Sequence, residues 1–315
     1  MDYPKNMLEF IDSFHTENQC LDYLEALKWW WVCPKCSATK HWRMTGRKSL
    51  VCSWCRAMLS VTAWTVLHRL RIPLRTVFLI AWFMVTSKQG ISAEELSQML
   101  AIDSKTAWLW NHKLRKIMVL DDRRQLSWDV EVDEVFIGWA QMWPRWRWAK
   151  WKIIVVVAVE VNKTIPDKKW LFQWMGRVRI QVIPNCWTKT LTSFVEENIE
   201  SWSMLYTDGW KAYPSLASKG YTHVIEKHAI EDNKVLWVRT TEVTPHVHII
   251  ASLVKRWLLG THQKYMVRDG YLQDYLEEYT FRFNRRKSSD RWKLFRTLLE
   301  QILTHTPTFR HNLKV

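Results

Sequence analysis

The chain has 315 residues and a net charge of +15, from 46 Lys and Arg against 31 Asp and Glu. So strong a positive charge favours a polyanionic partner, and nucleic acid is the usual one. A membrane is the rival partner, but a spanning helix needs roughly 18 apolar residues, and the best apolar run, 77–85, is too short. Because the first residues lack the basic head and apolar middle of a signal peptide, we expect a cytoplasmic protein.

Residues 1–28 have the pattern of an amphipathic helical lead-in, and residues 29–62 form a cysteine module. Four of the 6 Cys occur as two Cys-x-x-Cys pairs with fifteen residues between the pairs. This spacing is typical of a zinc ribbon, in which four thiolates close a tetrahedral structural zinc site. Four unrelated thiols and a redox role for one pair are the alternatives. The predicted zinc ligands are Cys33, Cys36, Cys52 and Cys55.

The helical pattern of residues 63–122 predicts a second module. Ser92-Ala-Glu-Glu95 has the form of a capping box that begins one helix, and Asp103 or Ser104 then caps the next, over 105–118. The tight turn between these two helices favours a DNA-binding helix-turn-helix, and a helical subdomain that only packs is the alternative. The candidate DNA contacts on the last helix are Lys105, Lys113, Arg115 and Lys116.

Residues 127–290 change to a strand-rich pattern, and residues 291–315 form a helical tail. Alternating or continuous Ile/Val patterns predict strands over 129–138, 152–161, 177–183, 204–208 and 223–226. Helical patterns cover 187–199, 248–259 and 270–283. This order of elements predicts an α/β module with a mixed sheet and flanking helices.

Two aspartates follow this strand pattern. Asp133 lies within one predicted strand, and Asp208 ends another. Carboxylates that strands present to a cleft suit hard divalent cations, which promote attack on phosphodiesters. Taken alone, an Asp at a strand end is more often a turn or cap residue.

The order of motifs resembles one family. The Cys ribbon and the helix-turn-helix are followed by Val132-Asp-Glu-Val-Phe-Ile-Gly138, Thr207-Asp-Gly-Trp210 and Phe281-Arg-Phe-Asn-Arg-Arg286. The chain resembles, from about residue 20 to residue 290, the zinc-ribbon insertion-sequence transposases of the ISXO-like group, which are related to the eukaryotic Merlin elements.

The resemblance implies a ribonuclease-H-like catalytic domain that cleaves DNA and transfers strands at the ends of its own element. It implies Asp133 and Asp208 as ligands of Mg or Mn, and Lys255 as a further functional residue. The resemblance also implies that the partner is double-stranded DNA, both the element ends and the target. It further implies a nucleoid-associated location and a homodimer or larger assembly. A decayed or co-opted copy that only binds DNA is the alternative.

One departure from the family concerns the third acidic position. Where the subgroup commonly has Asn, this chain has Leu253, which can neither ligate a metal nor donate a hydrogen bond. Glu242 and His248 are the nearest possible substitutes. This leaves the third metal ligand, and with it the activity, open.

The chain contains 23 Trp and only 8 Gly, whereas an average chain is about 7% Gly. Some bacterial lineages read the codon UGA as Gly, and a common alternative code reads it as Trp. Trp64, Trp128 and Trp202 stand where relatives tend to have Gly, whereas Trp82 and Trp257 match true Trp positions. We hypothesise that several Trp of the printed sequence are Gly in the native protein; a truly Trp-rich protein is the alternative.

Overall fold

The computed structural model describes residues 4–29, 32–44, 48–119, 124–138, 153–161, 175–207, 214–225, 230–231, 234–235, 244–262, 270–288, 290–309 and 313. The chain divides into two compact units, Met1–Val119 with Lys287–Val315, and Leu120–Arg286. In the described part of the chain, no helix is long and apolar enough to cross a bilayer.

Helices and strands of the described residues agree closely with the sequence pattern. The helices are α1 Met7–Ser13, α2 Glu17–Trp29, α3 Leu74–Thr86, α4 Ala93–Leu100, α5 Ser104–Ile117, α6 Thr188–Asn198, α7 Pro245–Trp257, α8 Leu272–Asn284 and α9 Arg291–Thr304. The strands are β1 His41–Arg43, β2 Leu50–Cys52, β3 Met58–Leu59, β4 Asp129–Ile137, β5 Ile153–Val161, β6 Val178–Ile183, β7 Met204–Thr207, β8 Thr222–Ile225, β9 Ile230–Glu231 and β10 Lys234–Val235. The helical lead-in is two helices rather than one.

The helices of the first unit begin at side-chain caps. Ser92 accepts the backbone N–H of Glu95 at the start of α4, and Asp103 caps α5, which confirms both predicted helix starts. Pro73 offers α3 no side-chain cap, and Glu17 of α2 instead accepts the N–H groups of Leu74 and Arg75. The three residues between α4 and α5 include Ala101 in the left-handed region.

An aromatic core holds the first unit together. Helix α9 packs against α2, α3 and α5, and its Trp292 stacks on Phe14 with ring centroids 6.0 Å apart. Phe295 of α9 also meets Phe10 and Trp82 edge-on. The C-terminal helix is therefore part of the core of the N-terminal unit rather than a separate tail.

The cysteine module is tied to this helical core by charged side chains. The guanidinium of Arg43 on β1 binds both carboxylate oxygens of Glu25 on α2, at 2.9 and 2.8 Å, and Glu25 is buried. Such a bidentate pair fixes direction as well as distance. Lys28 donates to the carbonyl of Val61 at 3.2 Å.

The second unit is built on a five-stranded mixed sheet with the order β6-β5-β4-β7-β8. Strands β6, β5 and β4 are antiparallel neighbours, and β7 and β8 continue from β4 in parallel. One face of the sheet packs in an apolar cluster with α7 and α8, and the other packs with α6. The fold is thus α/β with a mixed sheet between helices, as the sequence predicts.

Helix α8 covers the free edge of β6. The amide of Asn284 pairs with both backbone groups of Val178, at 2.7 and 3.1 Å, and Gln273 accepts the N–H of Val182 at 2.8 Å. Arg286 donates to the carbonyl of Gly176 at 3.1 Å. Side chains of the Phe281–Arg286 motif thus satisfy an edge that would otherwise offer unpaired backbone groups.

The backbone supports the Gly hypothesis at two of the Trp positions. Trp64 and Trp128 have φ of 59° and 67°, in the left-handed region, and their side chains are 79% and 73% exposed. A bulky residue there is strained without gaining burial, whereas Gly adopts this region freely. By contrast, Trp82 and Trp257 are buried, as expected of true Trp.

Candidate functional site

The central strand β4 presents two acidic side chains to helix α7. Because side chains alternate along a strand, Glu131 and Asp133 share the face of Val135, which packs in the cluster with α7 and α8. Val130 and Val132 pack on the opposite face with α6. Both carboxylates are buried, Glu131 completely and Asp133 to 7% exposure.

Glu131 caps the first turn of α7. Its Oε2 accepts the backbone N–H groups of His246 at 2.9 Å and Val247 at 3.3 Å, and its Oε1 lies 2.8 Å from Nδ1 of His246. Thr244, at the N-cap position, makes no side-chain bond to the helix. A carboxylate at a helix N-terminus satisfies free donors and meets the positive end of the helix dipole. Glu131 therefore fixes the start of α7 against the sheet.

Asp133 lies where this turn meets the strand. Its Oδ1 accepts the backbone N–H of Glu134 at 2.7 Å, and its Oδ2 accepts the hydroxyl of Thr244 at 3.0 Å. Nε2 of His248, one turn further along α7, is 3.6 Å from the same Oδ2. This Nε2 is buried and has no hydrogen-bond partner among the described residues.

The second predicted aspartate, Asp208, lies outside the described residues. Strand β7 ends at Thr207, one residue earlier, and runs parallel to β4 with Glu131 level with Tyr206. Thr207 is buried, and its hydroxyl is 2.9 Å from Nε2 of His223 on β8. Burial lowers the pKa of His223 below its usual value.

Two further predicted positions lie on α7. Lys255 is exposed and follows His248 by seven residues, which is two turns, so both lie on one side of the helix. Leu253 is half-buried and packs against the apolar cluster of α7 and α8. The side chain that α7 turns toward Asp133 is thus His248 and not Leu253. Glu242 lies outside the described residues.

The four predicted zinc ligands come together. Their Sγ atoms all lie within 4.8 Å of one another, with 3.7 Å between Cys33 and Cys55 and 3.5 Å between Cys36 and Cys52. Zinc bonds of about 2.3 Å at tetrahedral angles hold sulfurs about 3.8 Å apart, so the cluster fits zinc. Backbone N–H groups of Cys55 and Trp54 lower the pKa of the Cys52 thiol, whereas burial and the hydrogen bonds with the other three thiols raise the pKa of the Cys36 thiol.

The predicted DNA contacts on α5 separate into two groups. Lys105 and Lys116 are exposed, whereas Arg115 is 1% exposed and so is not presented to a DNA backbone. Lys113 is half-buried with its Nζ 4.8 Å from the ring centre of Trp110, and burial lowers its pKa. The helical period explains this: Arg115 shares the inner face of α5 with Asn111 and His112, which are also buried.

Three residues of this site, Glu131, Thr244 and His246, are not among those predicted from the sequence. Glu131 stands two residues before Asp133, so the period of a strand places the two carboxylates on one face, and that signal was present in the sequence. The positions of Thr244 and His246 depend on how α7 docks on the sheet, for which the sequence carried no signal.

Residues 125–284 match the family model of the ISXO2-like transposase domain, which is more than half of the chain. The chain therefore belongs to this family of insertion-sequence transposases. No curated protein and no solved structure matches it.

Proposed function

We propose that the second unit is a ribonuclease-H-like catalytic domain that cleaves DNA and transfers strands at the ends of its own element. The observation that carries this proposal is the placement of Asp133 on the central strand β4, beside the parallel strand β7, which ends one residue before Asp208. Adjacent parallel strands that deliver carboxylates to one end of a sheet are suited to a shared cation site.

The residues around Asp133 fit a divalent cation, either Mg or Mn. Oδ2 of Asp133 and Nε2 of His248 converge, and the latter is a buried donor atom with no hydrogen-bond partner in the described part of the chain. Asp133 and Asp208 would hold the ion. When bound, it supplies Lewis-acid stabilisation of charge on the scissile phosphate.

The chain's own side chains orient the site and the substrate. The hydroxyl of Thr244 fixes the rotamer of Asp133, and Glu131 fixes the turn that carries Thr244. Lys255, exposed two turns along α7, contacts a substrate phosphate, where an ammonium group both positions the backbone and offsets developing charge.

The first unit recognises the element ends in this proposal. A zinc ribbon joined to the α4–α5 pair, a helix-turn-helix, presents Lys105 and Lys116 to DNA. Two ends must be held together for strand transfer, so the working form is a dimer or larger assembly.

The competing proposal is a decayed or co-opted copy that binds DNA without cleaving it. Leu253 favours it, because this side chain occupies the position where the family commonly has Asn. An active transposase and a decayed copy would both bind DNA, but only the active transposase would cleave it.

A cleavage and joining assay separates them. Zinc-loaded protein is incubated with Mg²⁺ or Mn²⁺ and a duplex carrying one end of its element, and with a random duplex of the same length. We expect nicks at the element boundary and joined products only with the element end. Specific binding without any nick would contradict the catalytic proposal and support the decayed copy.

A further inference from the structure

We propose that the outer face of α7 and of the turn that follows it binds the backbone of a DNA duplex, and that Gly260 is the point of closest approach. The inference rests on the proposed function, because Lys255 on this face is the proposed contact to a substrate phosphate. It extends that single contact into a surface that continues past the end of α7, and it assigns Arg256 and Gly260 to that surface.

Gly260 is a glycine that the fold itself does not require. A Cβ at Gly176 would lie 2.8 Å from the Cβ of Glu160, so that position has no room for a side chain. At Gly260, φ lies outside the left-handed region, and no atom of the described residues lies within 4 Å of the place of a Cβ, its own helix backbone and chain neighbours aside. Four further described glycines have a positive φ, which favours Gly: Gly90, Gly138, Gly220 and Gly270.

The turn that carries Gly260 is anchored from its inner side. Helix α7 continues into a π-helical turn, Leu258–His262, and such turns are rare and occur frequently at functional sites. The ring centroid of His262 lies 4.8 Å from that of Trp257 and 4.6 Å from that of Tyr275 on α8. Because these contacts hold the turn against α8, flexibility is not what Gly260 supplies. A Gly also lets another molecule approach its backbone closely, and this use fits an open, exposed position.

The exposed face around Gly260 is positively charged. Its members recur at the spacing of a helix and include a hydroxyl and two cations, which are typical contacts of a DNA phosphate. None of the five is acidic: Ser252, Lys255, Arg256, Leu259 and Gly260. With a net charge of +15 on the whole chain, a polyanion is the partner that this face fits best.

A second copy of the chain fits this face less well than DNA does. In a contact with two-fold symmetry the same patch meets itself, so Lys255 and Arg256 would face their own copies, and like charges oppose such a contact. A DNA backbone instead offers complementary charge along the whole face. Leu259, which is 63% exposed, provides an apolar surface for a deoxyribose beside Gly260.

The test measures folding and DNA binding of the full-length, zinc-loaded chain. Gly260→Ala should raise the melting temperature by about 1–3 °C, because Ala fits the turn and lowers the entropy of the unfolded chain. The same variant should bind an element-end duplex roughly tenfold more weakly, the equivalent of one hydrogen bond to a charged group. A random duplex of the same length should show the same loss, because backbone contacts carry no sequence information. Gly260→Leu should weaken binding further.

Two control variants match these changes. Gly176→Ala should lower the melting temperature and retain DNA affinity, which is the reverse of the pattern at Gly260. Arg256→Gln should reduce the slope of log affinity against log salt by about 1. Lys189→Gln removes the same charge from the exposed side of α6, on the opposite face of the sheet, and should leave the slope unchanged.

DNA affinity of Gly260→Ala equal to that of the wild type, or equal salt slopes of Arg256→Gln and Lys189→Gln, would overturn the inference. Gly260 variants that change the sedimentation of the DNA-free protein but not its DNA affinity would identify a second copy as the occupant, which overturns it as well. The proposed function is tested separately by cleavage. If the wild type cuts no element end while the variants show the expected losses in binding, the catalytic proposal fails and this surface stands. If the wild type cleaves and Gly260→Ala binds and cleaves equally well, only this inference fails.

Discussion

Oε1 of Glu131 and Nδ1 of His246 are 2.8 Å apart, and both side chains are buried between the central strand and the first turn of α7. The other carboxylate oxygen accepts two backbone N–H groups of that turn. This single carboxylate therefore couples the position of Asp133 to that of Thr244 and His248.

Removing this carboxylate should loosen the start of α7. Glu131→Ala leaves buried donors unpaired, which costs about 1–3 kcal/mol, so amide hydrogen exchange in 244–250 should rise roughly 10- to 100-fold. Glu131→Gln keeps an acceptor oxygen and should recover part of the protection.

The matched control is Glu160→Gln. Glu160 lies on the neighbouring strand and accepts the N–H groups of Ser127 and Arg177 instead. Equal effects of the Glu131 and Glu160 variants on the first turn of α7 would contradict a local role for Glu131.

The cysteine cluster should hold one zinc per chain. Cys33→Ser removes a ligand, so zinc content should fall and hydrogen exchange should rise over 32–59 while the second unit keeps its protection, because so small a module folds only with its metal. The control is Cys186→Ser, because Cys186 is half-buried and lies outside the cluster. This variant should hold as much zinc as the wild type. Freshly purified wild-type protein without zinc, measured by elemental analysis, would refute the site.

The contact between Thr207 and His223 should be sensitive to acid. Burial lowers the pKa of His223 from 6.5, so the folded state favours the neutral ring. The stability that this provides is complete above pH 6.5 and is lost as pH falls through the folded pKa. Hydrogen exchange of 204–207 and 222–225, corrected for intrinsic rates, should therefore rise between pH 7 and pH 5. His223→Gln should remove this response; an unchanged acid response in that variant would show that another group causes it.

The helix starts and the strands could be predicted from the sequence because they depend on neighbouring residues. Ser92 and Asp103 begin helices through their own side chains, and the Ile/Val run of β5 is buried on both faces, so short-range patterns were enough. The placement of α9 in the N-terminal core and the docking of α7 on Glu131 depend on contacts between residues more than 100 positions apart, which periodicity does not encode. Arg115 has the charge of a DNA contact, but its face of α5 is buried, and burial of one helix face depends on packing that the charge of a residue does not reveal.

The Gly hypothesis makes a prediction for the backbone at Trp64. Because φ there is 59°, Trp64→Gly should be more stable than Trp64→Ala by roughly 1 kcal/mol, measured by thermal unfolding. Trp42, in a strand, is the control, where Ala should be at least as stable as Gly. Equal stability of Gly and Ala at position 64 would contradict the strain, and a native peptide that contains Trp64 would refute the recoding.

The central claim is that Asp133 and Asp208 act together in DNA cleavage. The most direct measurement is single-turnover cleavage of an element-end duplex by Asp133→Asn, Asp208→Asn and the double variant, with DNA affinity measured in parallel. Each single variant should lose cleavage by on the order of 10³-fold or more, the double variant should be no worse, and DNA affinity should persist, because ligands of one site act as a unit. Cleavage that survives in either single variant would contradict the account.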